Sequence, residues 1–199
     1  MIRDKEKLIF VHIPKNAGTS VKNFLGQKKI PLHKHKTIHD IKRENPREYN
    51  SYKKFAIVRN PYERMVSWYA YINGYRSNND LLNTYQWNNN NESYEIVETE
   101  KPNVDGFELF IKNQNRDIGF RDNSFSLLSN QCRWVDETVI ILKYENLNEE
   151  LNDFFGEKID LQILNKTICD NILTYYDRET LDIVYDKYKE DFERFNYKK

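Results

Sequence analysis

An α/β fold built on a short parallel sheet is the architecture this sequence predicts, and three observations predict it. Short runs of apolar, β-branched and aromatic residues recur at 7–13 (KLIFVHI), 55–59 (FAIVR) and 139–142 (VIIL), each with the character of a buried strand. Each run leads through a turn into a segment of helical spacing, the alternation that yields parallel strands joined by helices. No internal repeat, linker or clean boundary divides the 199 residues, a length that suits one domain with a proper core. Residues 1–199 are therefore read as a single domain.

The elements follow in order. The first strand is closed by Pro14, and the small-residue turn after it opens into VKNFLGQ, where Val21, Phe24 and Leu25 keep helical spacing. Residues 28–54 are basic and polar, with a short helix expected at about 37–43 and another opened by Pro46. After the second strand, Pro61 suits the first turn of a helix running to about Tyr71. Residues 77–104 are polar and Asn-rich, with no convincing period. They read as a long loop or insertion, either a lid over a ligand or a disordered segment. Asp105 is a cap for a helix carrying Phe107, Phe110 and Ile111. The third strand enters KYENL and a helix from about Asn148 to Phe155, stopped by Gly156. From about Arg178 to Tyr197, the stripe of Leu181, Val184, Tyr185, Tyr188, Phe192 and Phe195 predicts an amphipathic helix against the core.

Composition excludes several classes. The mean hydropathy is −0.87, but 14% aromatic residues argue against wholesale disorder. No apolar run is long enough to span a bilayer, and MIRDKEKLIF holds no apolar signal stretch. Two cysteines, Cys132 and Cys169, make neither a disulfide scaffold nor a metal-ligand spacing. The polar side of the C-terminal stripe is acidic, which disfavours nucleic acid. The formal charge is zero, with 31 basic and 31 acidic side chains, but it is unevenly spread. Residues 1–60 carry +10 and residues 61–199 carry −10.

Within the basic third, residues 15–20 (KNAGTS) carry the most chemistry. Ala17 and Gly18 allow a tight turn whose N–H groups can point into one concavity, and Gly18, Thr19 and Ser20 open a helix with unpaired amides. Thr19 and Ser20 add hydroxyls and Lys15 adds a point charge, together a phosphate site. The plainer reading is a glycine turn with a threonine cap. The order differs from the nucleoside-triphosphatase loop, because the lysine precedes the glycine by three residues. No aspartate closes the third strand to hold magnesium, since VIIL runs into Lys143. Arg59, at the carboxyl end of the second strand, offers a planar fork where open α/β sheets bind ligands, and Ser67 offers a hydroxyl. Arg64 could share that duty, pair with Glu63, or stay solvated.

FVHIPKNAGTS and FAIVRNPYERMVSWY, about 45 residues apart on two successive strands, resemble the two phosphate motifs of a known family. It is the sulfotransferases that use 3′-phosphoadenosine-5′-phosphosulfate (PAPS), specifically the carbohydrate (Golgi-type, family 2) branch and its bacterial relatives. DGFELFIKN, the Gln131–Trp134 stretch, VIILKYENL, Leu164-Asn165-Lys166 and the C-terminal segment fall in the family's order, so the resemblance spans nearly the whole chain. It implies a three-layer, P-loop-like sulfotransferase fold. It also implies Lys15 at the sulfuryl-bearing phosphate and the backbone of Asn16, Ala17, Gly18, Thr19 and Ser20, with the Thr19 and Ser20 hydroxyls, as the 5′-phosphate cradle. Arg59 and Ser67 match the 3′-phosphate pair. Asn16 stands where relatives often have a hydroxyl residue. Animal members usually carry a membrane anchor and lumenal disulfides, and their absence here implies a cytoplasmic bacterial-type protein.

The implied activity moves a sulfuryl group to a hydroxyl of a carbohydrate or glycolipid-like acceptor and leaves adenosine 3′,5′-bisphosphate. No metal is required, because the transfer needs positioning, cationic stabilisation of the leaving phosphate and a base. The base candidates lie in PLHKHKTIHD, where the resemblance ranks His35 first and His39 second, with His33, Asp40 or Glu63 as alternatives. His12, inside the first strand, reads as a packed residue. Gln131 and Trp134 either line the acceptor or adenine side or belong to the core, and Asn165 and Lys166 either touch the nucleotide or lie in a solvated loop. A kinase-like nucleotide enzyme and a non-catalytic binder that has lost the base are the alternative functions.

Overall fold

The computed structural model describes residues 1–26, 35–72, 83–88, 93–98, 104–112, 127–161 and 171–199. Its central sheet has four strands in the order β1 (Ile2–Arg3), β2 (Leu8–Val11), β3 (Lys53–Val58) and β6 (Ile140–Lys143). The parallel part is β2, β3 and β6, paired Phe10↔Phe55 and Phe55↔Ile140. The apolar runs at 7–13, 55–59 and 139–142 therefore become strands, with bounds shifted by a residue or more. A two-residue strand, β1 (Ile2–Arg3), runs antiparallel to β2 and was not expected from the charged N-terminal residues.

Both faces of this sheet are covered, which explains why its strands read as continuous apolar runs. Successive side chains point to opposite faces. Ile9, Val11, Ala56 and Val58 join one core with Met65, Trp68, Phe107, Val184 and Phe192. Leu8, Phe10, Phe55, Ile57 and Leu142 join the other with Val21, Leu147 and Leu151. The second core is covered by α1 (Gly18–Phe24) and α6 (Leu147–Phe155). The first is covered by α4 (Pro61–Ile72), α5 (Val104–Lys112) and α7 (Arg178–Arg194), with α2 (Ile38–Glu44) and α3 (Pro46–Ser51) preceding β3. The result is the expected α/β sandwich of helix, sheet and helix layers.

Local chemistry sets the ends of these helices. Thr37 and Asp40 form a reciprocal capping box at the start of α2, and Asp177 and Thr180 form another on α7. Gly156, at φ 73°, ends α6 as expected. On α7, Val184, Tyr188, Phe192 and Phe195 of the anticipated stripe are buried, while Leu181 and Tyr185 are partly covered. The segment at 77–104 differs from the expected irregular loop. Within it, β4 (Asn83–Asn88) and β5 (Ser93–Glu98) pair antiparallel, with Tyr85↔Ile96 and Trp87↔Tyr94 in register. Alternating aromatic and β-branched residues favour such a hairpin even among asparagines.

Candidate active site

The turn between β2 and α1 is shaped by two left-handed residues, Lys15 at φ 71° and Ala17 at φ 57°. Alternating backbone handedness of this kind turns neighbouring amides towards one side. The N–H groups of Ala17, Gly18 and Thr19 donate to no acceptor among the described residues, and α1 has neither a side-chain cap nor an acid in its first turn. A Cβ on Gly18 would lie 1.7 Å from His12 Nε2, so the imidazole occupies the space that only glycine leaves. Lys15 extends towards α4, with Nζ 4.3 Å from the Tyr71 ring centroid and 5.9 Å from that of Trp68. Thr19 is exposed and Ser20 is buried.

Asn16 faces inward rather than into the turn. It is buried, and its Nδ2 donates to Ile57 O at 2.8 Å and to Gln131 Oε1 at 2.6 Å. Gln131 opens a 3₁₀ turn, Gln131–Trp134, and is fully buried. Its Oε1 also accepts from Arg59 N at 2.9 Å, and its Nε2 donates to Arg59 O at 2.8 Å. Asp191 of α7 holds the turn, accepting from the amides of Gln131 and Cys132, each at 2.8 Å. One side chain thus ties the first turn to the end of β3. Neither Gln131 nor Asp191 carries a local signal of this clamp, because each bonds across 59 or more residues.

Arg59 sits where β3 gives way to α4, with its guanidinium 4.0 Å from the Tyr144 ring centroid. Its Nε donates to Glu63 Oε2 at 3.1 Å, and its two Nη groups donate to nothing among the described residues. Ser67 is buried in α4, six residues past Pro61 and about 9 Å along the helix. Its hydroxyl makes no hydrogen bond among the described residues, and the structure records no contact between Arg59 and Ser67. Arg64 is neither solvated nor paired with Glu63. It is fully buried and donates to Pro14 O, Ser129 O and Leu127 O at 3.3, 3.0 and 2.9 Å. Three carbonyls compensate that burial, and the guanidinium braces the turn from behind.

The histidines separate by environment. His35 Nδ1 lies 3.0 Å from His12 O, its ring centroid is 4.1 Å from that of His12, and Trp134 meets it edge-on at 6.3 Å. A carbonyl only accepts, so His35 carries its proton on Nδ1 and keeps the Nε2 lone pair. Burial pushes its pKa down to about 4, against the opposing pull of that carbonyl. His12 is driven well below the usual range, first by burial and then by His35. His39 is exposed on α2. Trp134 is core, while His33, Asn165 and Lys166 lie outside the described residues. Cys132 is buried, and its thiol is pushed up to about 12 by burial and the neighbouring Asp191, which keeps it unreactive.

A cavity of about 270 Å³ opens beside this group, lined by His12, His35, Lys22, Lys36, Ile41 and Asn45 together with the N-terminal residues. Among the described residues, no helix is long and apolar enough to cross a membrane. Comparison with curated proteins and with solved structures gives no match. A family model does match, that of the sulfotransferase family, over residues 1–198. With that match covering essentially its whole length, and the two motifs joined through Gln131, the chain belongs to the sulfotransferase family 2.

Proposed function

We propose that the protein transfers a sulfuryl group from PAPS to a hydroxyl of a carbohydrate-like acceptor, with a glycolipid as one form of it. The observation that supports the reading is the Gln131 bridge, which ties the first turn to the end of β3. The residues present suit a donor with several anionic groups. Three unpaired amides, a turn free of acids and a guanidinium with both Nη groups available offer donors alone, apart from Glu63 on Arg59 Nε. PAPS, when bound, supplies an activated sulfuryl group on a phosphate leaving group.

The chain's own residues supply the rest. The Asn16–Ser20 turn, with the Thr19 and Ser20 hydroxyls, holds the 5′-phosphate, and Lys15 counters the charge that builds on the leaving oxygen. Arg59 grips the 3′-phosphate through its Nη edge, with Ser67 assigned to the same group. His35, neutral at physiological pH and oriented by the His12 carbonyl, accepts the acceptor's proton on Nε2. His39 is second in rank because its exposed place on α2 leaves it without such orientation. No step calls for a metal ion or for nucleic acid, and a cytoplasmic, bacterial-type setting accords with the reading.

A thermal-shift titration tests the donor half. Adenosine 3′,5′-bisphosphate without magnesium should raise the Tm, and Arg59→Ala should remove the shift. Stabilisation by magnesium-ATP alone sinks the proposal. For the base, His35→Gln should lower the rate of sulfuryl transfer by a factor of about 10²–10⁴ while leaving bisphosphate binding intact.

A further inference from the structure

We infer that Glu63 of α4 is a positioning residue for the donor: it takes the Nε edge of Arg59 and leaves the guanidinium to meet a phosphate only through its two Nη groups. This rests on the assignment of Arg59 to the 3′-phosphate. Glu63 stands four residues after Arg59 and four before Ser67, the pair given to that phosphate, and it shares a face of α4 with Ser67. A carboxylate in such a place repels an anionic ligand, so its presence calls for a gain that outweighs the repulsion.

The gain lies in how Arg59 is held. Arginine can grip a phosphate side-on, through Nε and one Nη, or end-on, through both Nη groups. Glu63 Oε2 accepts from Arg59 Nε at 3.1 Å and closes the side-on edge. The guanidinium carbon also lies over the Tyr144 ring, 4.0 Å from its centroid. The Arg59 side chain is left only 12% exposed, and among the described residues its Nη groups donate to nothing. Neither neighbouring charge competes for this contact. Arg64 donates to three carbonyls, and Glu145 accepts from Asn60 N at 2.7 Å and from the Tyr197 hydroxyl at 3.0 Å. With Nε committed before the donor arrives, the side chain loses less rotamer freedom on binding, and the Nη pair is aimed in one direction. Glu63 thereby has a use other than that of a base.

Isothermal titration calorimetry on the full chain, with adenosine 3′,5′-bisphosphate and adenosine 5′-phosphate as probes, tests the assignment. Glu63→Gln keeps an oxygen acceptor of the same reach, Glu63→Met keeps the length without it, and both remove the charge. The bisphosphate should therefore bind about three- to tenfold more weakly to Glu63→Met than to Glu63→Gln. The 5′-phosphate should bind the two variants within about twofold, and in an Arg59→Ala background the difference for the bisphosphate should vanish. Because the ion pair is partly exposed, the two ligand-free variants should melt within about 3 °C of each other. Equal bisphosphate affinity in the two variants, an equal loss for the 5′-phosphate, a difference that persists without Arg59, or a larger gap in Tm overturns the assignment. Failure of the underlying reading shows separately: the wild type would then bind both probes equally well, or Arg59→Ala would keep the preference for the bisphosphate.

Discussion

Replacing Gln131 with methionine, of similar length but without hydrogen-bonding groups, tests whether one buried amide joins the two motifs. Asn16 Nδ2 would keep Ile57 O, and Asp191 would keep the backbone amides of residues 131 and 132. The N–H and C=O of Arg59 lose their partners, and Asn16 Nδ2 loses one of its two. A buried backbone group without a partner costs about 1–3 kcal/mol. Arg59 is only half-buried, so water reaches part of that backbone, and the low end of the range applies to each group. The expected loss is therefore about 2–3 kcal/mol, or a fall in Tm of about 4–12 °C for a chain of this size. Urea unfolding followed by tryptophan fluorescence measures it directly. The thermal shift produced by adenosine 3′,5′-bisphosphate should shrink in parallel, because Arg59 is no longer pinned. A destabilisation below about 0.5 kcal/mol in Gln131→Met would refute the clamp.

Three further outcomes follow from the histidine pair. Gly18→Ala places a methyl group on the His12 ring and should cost about 1–3 kcal/mol by overpacking; His12→Ala in the same chain should recover most of it, and additive losses in urea melts would contradict the packing. His35 has a folded pKa near 4 against an ordinary 6.5, so between those values the unfolded chain binds more protons than the folded one. Stability should therefore fall as pH drops from about 6.5 towards 4, and His35→Gln should flatten that slope. The acid limb of kcat/KM should likewise lie well below 6.5, and a limb at 6.5 or above would count against His35 as base.

The elements legible from residues alone were those whose partners are local. Pro61, Gly156 and the stripe on α7 announce their roles within one or two helical turns, and the three apolar runs show buried strands because both sheet faces are covered. What was hidden depends on distant contacts. Arg64, read beside Glu63, looks like any helix-surface arginine, yet its partners are carbonyls 50 to 65 residues away. Gln131 was noticed only within a family-like stretch, since nothing near it shows that it faces Asn16 and Arg59. His12 reads as packed and its ring does lie against Gly18 and His35, but its backbone carbonyl as the anchor for His35 is invisible in a residue pattern. The β4–β5 pairing is obscured by asparagines that weaken a strand signal without abolishing its alternation.

Asp191 gives the clamp a consequence in time. A chain emerging from the ribosome presents its first motif early and its second some forty residues later, and Gln131 well after both. The carboxylate that fixes Gln131 comes last, three residues before the end of α7. Assembly of the proposed donor site would therefore wait for α7 to dock, and nascent chains that stop short of residue 191 would carry both motifs without the clamp that joins them.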